Sequence, residues 1–164
     1  MRLLAAFLAL AVFVAGGTSL VAQSTNEKTI PAGRLKLAGQ TLRCGHTPTL
    51  MSTSFWDYGG SYTSSAGRGM IILNPNKLET LPPIVQLYVY EHECGHQLRG
   101  RSETKADCYA VERGRRAGWL TSDGVEAICA FFAAHPTDSV HPPGPERCAA
   151  MAQCFEKAKP RARR

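Results

Sequence analysis

Residues 84–107 read IVQLYVYEHECGHQLRGRSETKAD, and this stretch decides how the second half of the chain folds. Its apolar residues recur at helical spacing, which predicts a helix that begins near Pro83 and stops at Gly100. A second helix is predicted to follow Ser102, whose side chain can cap the first turn, and to end at Gly118.

Two histidines of the first predicted helix lie four positions apart, in His92-Glu93-Cys94-Gly95-His96. Positions four apart share one face of a helix, so both imidazoles can reach one metal ion. The neighbouring Glu93 can approach a metal-bound water without being a ligand, as a general base must. The pattern therefore predicts a zinc site with Glu93 as a catalytic residue. The alternative is a surface helix that carries two unrelated histidines.

Glu103 and Asp107 are also four positions apart, at the start of the second predicted helix. The tight turn from Arg99 to Arg101 lets this helix fold back onto the first, so Glu103 is predicted as the third zinc ligand. Asp107 is predicted to accept a hydrogen bond from the far ring nitrogen of a ligand histidine. Three protein ligands with one position left for water form a catalytic zinc site. The alternative for Glu103 is an acid that complements the helix dipole.

Together the two motifs resemble those of gluzincin metallopeptidases, in which a His-Glu-x-x-His helix precedes a Glu-x-x-Ala-Asp helix. The resemblance runs from residue 70 to about residue 147. It implies one Zn²⁺ per chain, a peptide or protein substrate, and a zincin-like domain. The pattern does not suit a metzincin, which would place a third histidine where Ser102 stands.

The same resemblance implies further site residues. His141, in a segment similar to the Ser/Thr-x-His-Pro of such peptidases, would stabilise the oxyanion or bind the metal transiently; the alternative is an ordinary loop histidine. Arg147 would hold a site residue in position without binding the metal itself; the alternative is an ordinary ion pair. The apolar strand predicted at residues 70–73 would hold the substrate through Met70, Ile71 and Ile72, by pairing along an exposed edge.

Short strands are predicted before the helical half, which argues for a small α+β domain over residues 34–156. The predicted strands are two around an Ala-Gly turn at 35–43, one within 49–55 and one at 70–73, with a glycine-rich loop at 57–69. Two more helices are predicted, one opened by a capping box of Asp123 and Glu126, and one from Pro145 to about residue 157.

The first 22 residues have the layout of a secretory signal peptide, with Arg2, an apolar run at 3–15 and a small residue at Ala22. The alternative is a membrane anchor, for which the run is too short. The pattern predicts export to the periplasm or the extracellular space, with no stable membrane insertion after cleavage. Residues 23–33 are predicted to be a flexible lead-in.

The net charge of +6 on 164 residues belongs to the termini. Without Arg2 and the five basic residues of the last eight, the chain has 13 basic and 13 acidic residues. The basic tail at 157–164 is therefore expected to be a solvated terminus, and no nucleic-acid partner is expected. Nucleic-acid binding by this tail is the alternative. A hydrophobic content of 44% excludes wholesale disorder, while the oligomeric state stays open.

The six cysteines suit an exported protein with disulfides. They are Cys44, Cys94, Cys108, Cys129, Cys148 and Cys154, and six cysteines allow 15 pairings. Cys94 lies about 200° round the helix from His92, so we expect it in a disulfide or the core. A second metal pair at Cys44 and His46 is a weaker alternative.

These patterns predict a small exported zinc metallopeptidase in which Glu93 activates a water for attack on a peptide bond. Two alternatives remain open from the sequence. One is a catalytically silent, metal-stabilised binding or chaperone module, and the other is a zinc hydrolase of a non-protein amide.

Overall fold

Strands fill the first half of the domain and helices the second, which confirms the predicted α+β class. The computed structural model describes residues 27–134 and 141–160, so the predicted signal peptide lies outside the described residues. The strands in these ranges are β1 (Glu27–Ile30), β2 (Leu35–Leu37), β3 (Gln40–Leu42), β4 (Thr49–Ser52), β5 (Gly59–Thr63) and β6 (Gly69–Leu73). The helices are α1 (Pro75–Leu78), α2 (Pro83–Arg99), α3 (Glu103–Ala117), α4 (Ser122–Ala134) and α5 (Gly144–Lys157).

One sheet contains four of these strands, in the order β1-β4-β6-β5. β4 and β6 are parallel, while β1 and β5 pair antiparallel at the two ends. The predicted strand at 70–73 is confirmed as β6, but it is an interior strand. The predicted substrate-pairing role of Met70, Ile71 and Ile72 is therefore wrong, because β4 and β5 already occupy both edges of β6.

β5 is the edge strand next to β6, and it forms inside the segment 57–69 predicted as a loop. That prediction is wrong for Gly59–Thr63 because glycine and serine give no hydrophobic alternation, although they permit close packing. A Cβ atom at Gly59 would lie 2.8 Å from Val89 Cγ1 and 3.1 Å from Glu93 Cγ. Glycine thus lets this edge strand lie directly against the helix that carries Glu93.

The N-terminal strands confirm one prediction and correct another. The β2–β3 hairpin turns at Ala38 and Gly39, with φ angles of 45° and 77°, as the Ala-Gly pattern predicts. The lead-in predicted at 23–33 is wrong for β1, whose backbone pairs with β4. The side chains of β1 are mostly exposed and polar, so no apolar pattern reveals this edge strand.

Helix α2 is central to the domain and has buried residues on most of its surface. The fully buried side chains of Ile71 and Leu73 in β6 belong to the same core as Val85 of α2. α2 ends at Gly100, whose φ is 84°, as predicted. Because α2 contacts the sheet, α3 and α4, its residues are held on several sides.

Side-chain caps mark the starts of the next two helices. Ser102 Oγ accepts a hydrogen bond from the Lys105 amide at 3.4 Å, and α3 ends at left-handed Gly118, so both predicted ends are confirmed. The capping box predicted at Asp123 is wrong, because α4 already begins at Ser122. There Thr121 Oγ1 accepts from the Gly124 amide at 3.2 Å, a bond that a threonine makes as readily as an aspartate.

All six cysteines are paired, as Cys44–Cys94, Cys108–Cys154 and Cys129–Cys148. The first joins the segment before β4 to α2, and the others tie α3 and α4 to α5. Cys44 therefore cannot form a metal pair with His46, and Cys94 is in a disulfide as expected. Three disulfides fit the oxidising compartment that export implies.

No helix among residues 27–134 and 141–160 is long and apolar enough to cross a membrane.

Candidate metal centre

The side chains of His92, His96 and Glu103 converge on one point between α2 and α3. His92 Nε2 lies 3.0 Å from His96 Nε2 and 3.2 Å from Glu103 Oε2, and His96 Nε2 lies 3.2 Å from Glu103 Oε1. Ligands at about 2.0–2.1 Å from a tetrahedral ion lie roughly 3.4 Å from one another. The three donor atoms thus have nearly the spacing of ligands around one metal ion.

Close packing of α3 against α2 brings Glu103 to the histidines. At Gly95, between the two histidines, a Cβ atom would lie 2.7 Å from Ala106 Cα and 2.9 Å from its carbonyl oxygen. No side chain fits there, so glycine sets the distance between the helices. Ala106 is fully buried at the contact, and Glu103 lies one turn before it on α3.

Hydrogen bonds behind the rings orient both histidines. His92 Nδ1 lies 2.8 Å from Asp107 Oδ1, and His96 Nδ1 lies 3.1 Å from the Gly100 carbonyl oxygen. These acceptors favour a proton on Nδ1 of each neutral ring, which leaves the Nε2 lone pairs facing Glu103. Metal-binding histidines have the same arrangement, with the far N–H given to a carboxylate or a carbonyl.

The charge balance of the three residues also fits a cation. While His92 is neutral with its proton on Nδ1, the buried Glu103 Oε2 receives no hydrogen bond from any described residue, although His92 Nε2 is only 3.2 Å away. With neutral rings, two nitrogen lone pairs and a carboxylate face one another, which is unfavourable unless a positive charge lies between them. The residues present therefore fit a bound metal ion.

In the metal-free protein a proton supplies this charge. Burial alone would lower the pKa of His92, but hydrogen bonds with Asp107 and Glu103 outweigh it and raise the pKa to about 9. The hydrogen bond with Glu103 likewise raises the pKa of His96. Burial acts to raise the pKa of Glu103, but the two histidines hold it far below its usual range. A metal must displace protons here, so its binding weakens as the pH falls.

Glu93, the predicted general base, is a buried residue of the cleft that contains the metal centre. It is 9% exposed, lines the same cleft as the three converging residues, and its carboxylate forms no hydrogen bond or ion pair with any described residue. Burial raises its pKa, and this effect exceeds the opposing influence of His92 and His96. A carboxylate with a raised pKa accepts protons more readily near neutral pH.

A buried network fixes Asp107 behind His92. Arg147 donates from Nε to Asp107 Oδ2 at 2.9 Å and from Nη2 to Oδ1 at 2.7 Å. Burial acts to raise the pKa of Asp107, but its hydrogen bonds with Arg147 and His92 hold it at about 2. Asp107 and Arg147, the two residues predicted to support the site, are therefore in direct contact. Their ion pair holds Asp107 in place next to His92.

Tyr88 completes this network and is the residue that the sequence analysis missed. Its hydroxyl donates a hydrogen bond to Asp107 Oδ1 and accepts one from Arg147 Nη2 at 3.1 Å. A signal was present, because Tyr88 lies four positions before His92 and so on the same helix face. The aromatic side chain by itself indicates only core packing.

His141 lies at the same site, with Nε2 at 3.5 Å from Glu103 Oε2 and its ring centre 6.4 Å from that of His92. It lines the cleft and is partly exposed. The preceding Ser139 and Val140, which contribute to the family resemblance, lie outside the described residues.

A cleft of about 800 Å³ opens above the three converging residues. One wall is β5 with the loop that precedes it, and another is formed by Phe131, Phe132 and the segment from His141 to Gly144. Met70, Ile71 and Ile72 are absent from the lining. The strand beside the site is therefore β5, one position further out in the sheet than predicted.

Comparisons with protein-family models, with curated proteins and with solved structures find no match to this chain.

Proposed function

We propose that this chain is a zinc-dependent peptidase of the gluzincin type, with His92, His96 and Glu103 as the metal ligands. The observation that carries the proposal is the convergence of the three donor atoms in a cleft that also contains Glu93, whose carboxylate has no hydrogen-bond or ion-pair partner among the described residues. Two imidazoles and one carboxylate are a ligand set of catalytic zinc sites. The three ligands also open onto a cleft, whereas structural zinc sites are closed by four protein ligands.

When bound, zinc would polarise a substrate carbonyl and lower the pKa of a coordinated water. Glu93 accepts the proton of the attacking water and delivers it to the leaving nitrogen. His141 lies at the cleft side of Glu103, where a ring N–H can donate a hydrogen bond to the oxygen that becomes negative. Asp107, held by Arg147 and Tyr88, keeps His92 in its ligating orientation.

The substrate proposed for this site is an extended peptide or protein segment. β5 is the terminal strand of its sheet, so its outer edge pairs with no strand of the described chain. A peptide strand added to that edge would run along the cleft past Glu93. The disulfides and the predicted signal peptide support action outside the cytoplasm, in the periplasm or the extracellular space.

Hydrolysis of a peptide panel before and after metal removal tests the proposal. We expect the zinc-loaded protein to cleave casein or quenched peptides, to lose at least about 100-fold of that activity on chelation, and to regain it with zinc. Zinc retention without cleavage of any amide would favour a silent binding module. Cleavage of non-protein amides alone would favour the other hydrolase class.

A further inference from the structure

We infer that Arg101 is a specificity residue that binds a carboxylate of the substrate close to the scissile bond. The inference rests on the proposed function and deepens it. Arg101 lies on the turn between α2 and α3, between the ligand residues His96 and Glu103. It is exposed, and it lines the cleft that contains the metal centre.

The guanidinium of Arg101 is available to a ligand. It makes no hydrogen bond or ion pair with any residue in the described ranges 27–134 and 141–160. The other arginine in the cleft lining, Arg147, is occupied by a bidentate pair with Asp107. Within the described lining, Arg101 is therefore the arginine that can accept a new anionic partner.

The turn that carries Arg101 has a basic sequence. Glu103 is the acid nearest to Arg101 along the chain, but its carboxylate faces the two histidines. Arg99 and Lys105 add positive charge on either side of the turn. A planar guanidinium matches a carboxylate through two parallel hydrogen bonds, so a carboxylate is the complementary group.

The cleft lining combines the metal centre, an aromatic wall and Arg101. At the end near Tyr88 the wall is aromatic, where Phe132 packs edge-on at 5.6 Å. Arg101 belongs to the same cleft lining as the metal centre, so a peptide bound across that centre can place a carboxylate beside the guanidinium.

Two substrate features could supply this carboxylate, namely an acidic side chain or the free C-terminus of a short peptide. Fluorescent peptide pairs distinguish them. One pair differs by Glu or Gln at each position near the scissile bond, and the other by a free or amidated C-terminus. Binding is measured to zinc-loaded Glu93→Gln protein, which holds peptides without turning them over.

We expect one carboxylate-bearing member to bind about tenfold more tightly than its neutral partner, and Arg101→Gln to remove that preference. Arg99→Gln is the matched control, because Arg99 lies over the Tyr109 ring at 5.9 Å and does not line the cleft. It should leave the preference unchanged. Arg101→Glu should reverse it in favour of peptides with lysine at that position.

Equal affinity for acidic and neutral peptides would overturn the inference, as would a preference that survives in Arg101→Gln, or no binding of any peptide. Failure of this inference can be distinguished from failure of the proposed peptidase function. Wild-type protein that cleaves neutral and acidic peptides with equal kcat/KM keeps the peptidase activity and excludes the role of Arg101.

Discussion

Glu93→Gln should lower kcat for peptide hydrolysis by roughly 10³-fold, within the 10²–10⁴-fold range of general acid–base catalysis. Glutamine has the shape of glutamate but accepts no proton, so the water is no longer activated. Because Glu93 is not among the three converging donor atoms, the metal content should not change. Steady-state kinetics together with metal analysis of the same sample checks both expectations.

Glu91→Gln is a matched control for this experiment. Glu91 is a buried glutamate of α2 that bonds to Arg113 and is absent from the cleft lining. Burial raises its pKa to about 7 against the opposing effect of Arg113, so a neutral side chain is tolerated there. The control should keep kcat within about twofold, and equal losses in the two variants would contradict a catalytic role for Glu93.

Asp107→Ala should lower the free energy of unfolding of the metal-free protein by about 3–5 kcal/mol, because it leaves the charge of Arg147 without its buried partner. Asp107 is fully buried, and Arg147 is 7% exposed. The pKa of Asp107 in the folded protein is about 2, below the ordinary value of 3.8. The stabilisation that the Asp107 carboxylate provides is therefore present above about pH 4 and is lost as the pH falls through 2. Denaturant unfolding at several pH values measures it.

Replacement of Asp107 should also lower the zinc affinity, independently of its effect on the free energy of unfolding. Asp107→Asn preserves the size of the side chain but weakens the hydrogen bond that orients His92, so zinc affinity should fall by about 10–100-fold. The double variant Asp107→Ala with Arg147→Met removes both charges and should cost less than the sum of the single changes. Unchanged zinc affinity in a folded Asp107→Asn protein would contradict the orienting role.

Local signals explain what the sequence could predict. The helix that carries His92 and His96 follows from apolar periodicity, and Ser102 and Gly118 specify the ends of α3 through side-chain and backbone chemistry near each residue. Because four-residue spacing fixes a helix face, the convergence of the histidines with Glu103 could be predicted once the two helices were known.

The remaining features depend on contacts between distant parts of the chain. β5 is a strand because its glycines fit against α2 and its backbone pairs with β6, and neither condition appears in the composition of the segment. The pairing of Cys44 with Cys94 requires the folded path of the chain. Tyr88 joins the site through Asp107 and Arg147, which are 19 and 59 residues away along the chain.

The zinc content of the purified protein, measured after dialysis against zinc-free buffer, tests the central claim most directly. We predict about one zinc per chain for the wild type, and a loss of at least about 100-fold in affinity for Glu103→Ala, since removal of one of three ligands leaves only the two histidines. Wild-type protein that holds no zinc, or Glu103→Ala protein that binds zinc as tightly as the wild type, would contradict the account.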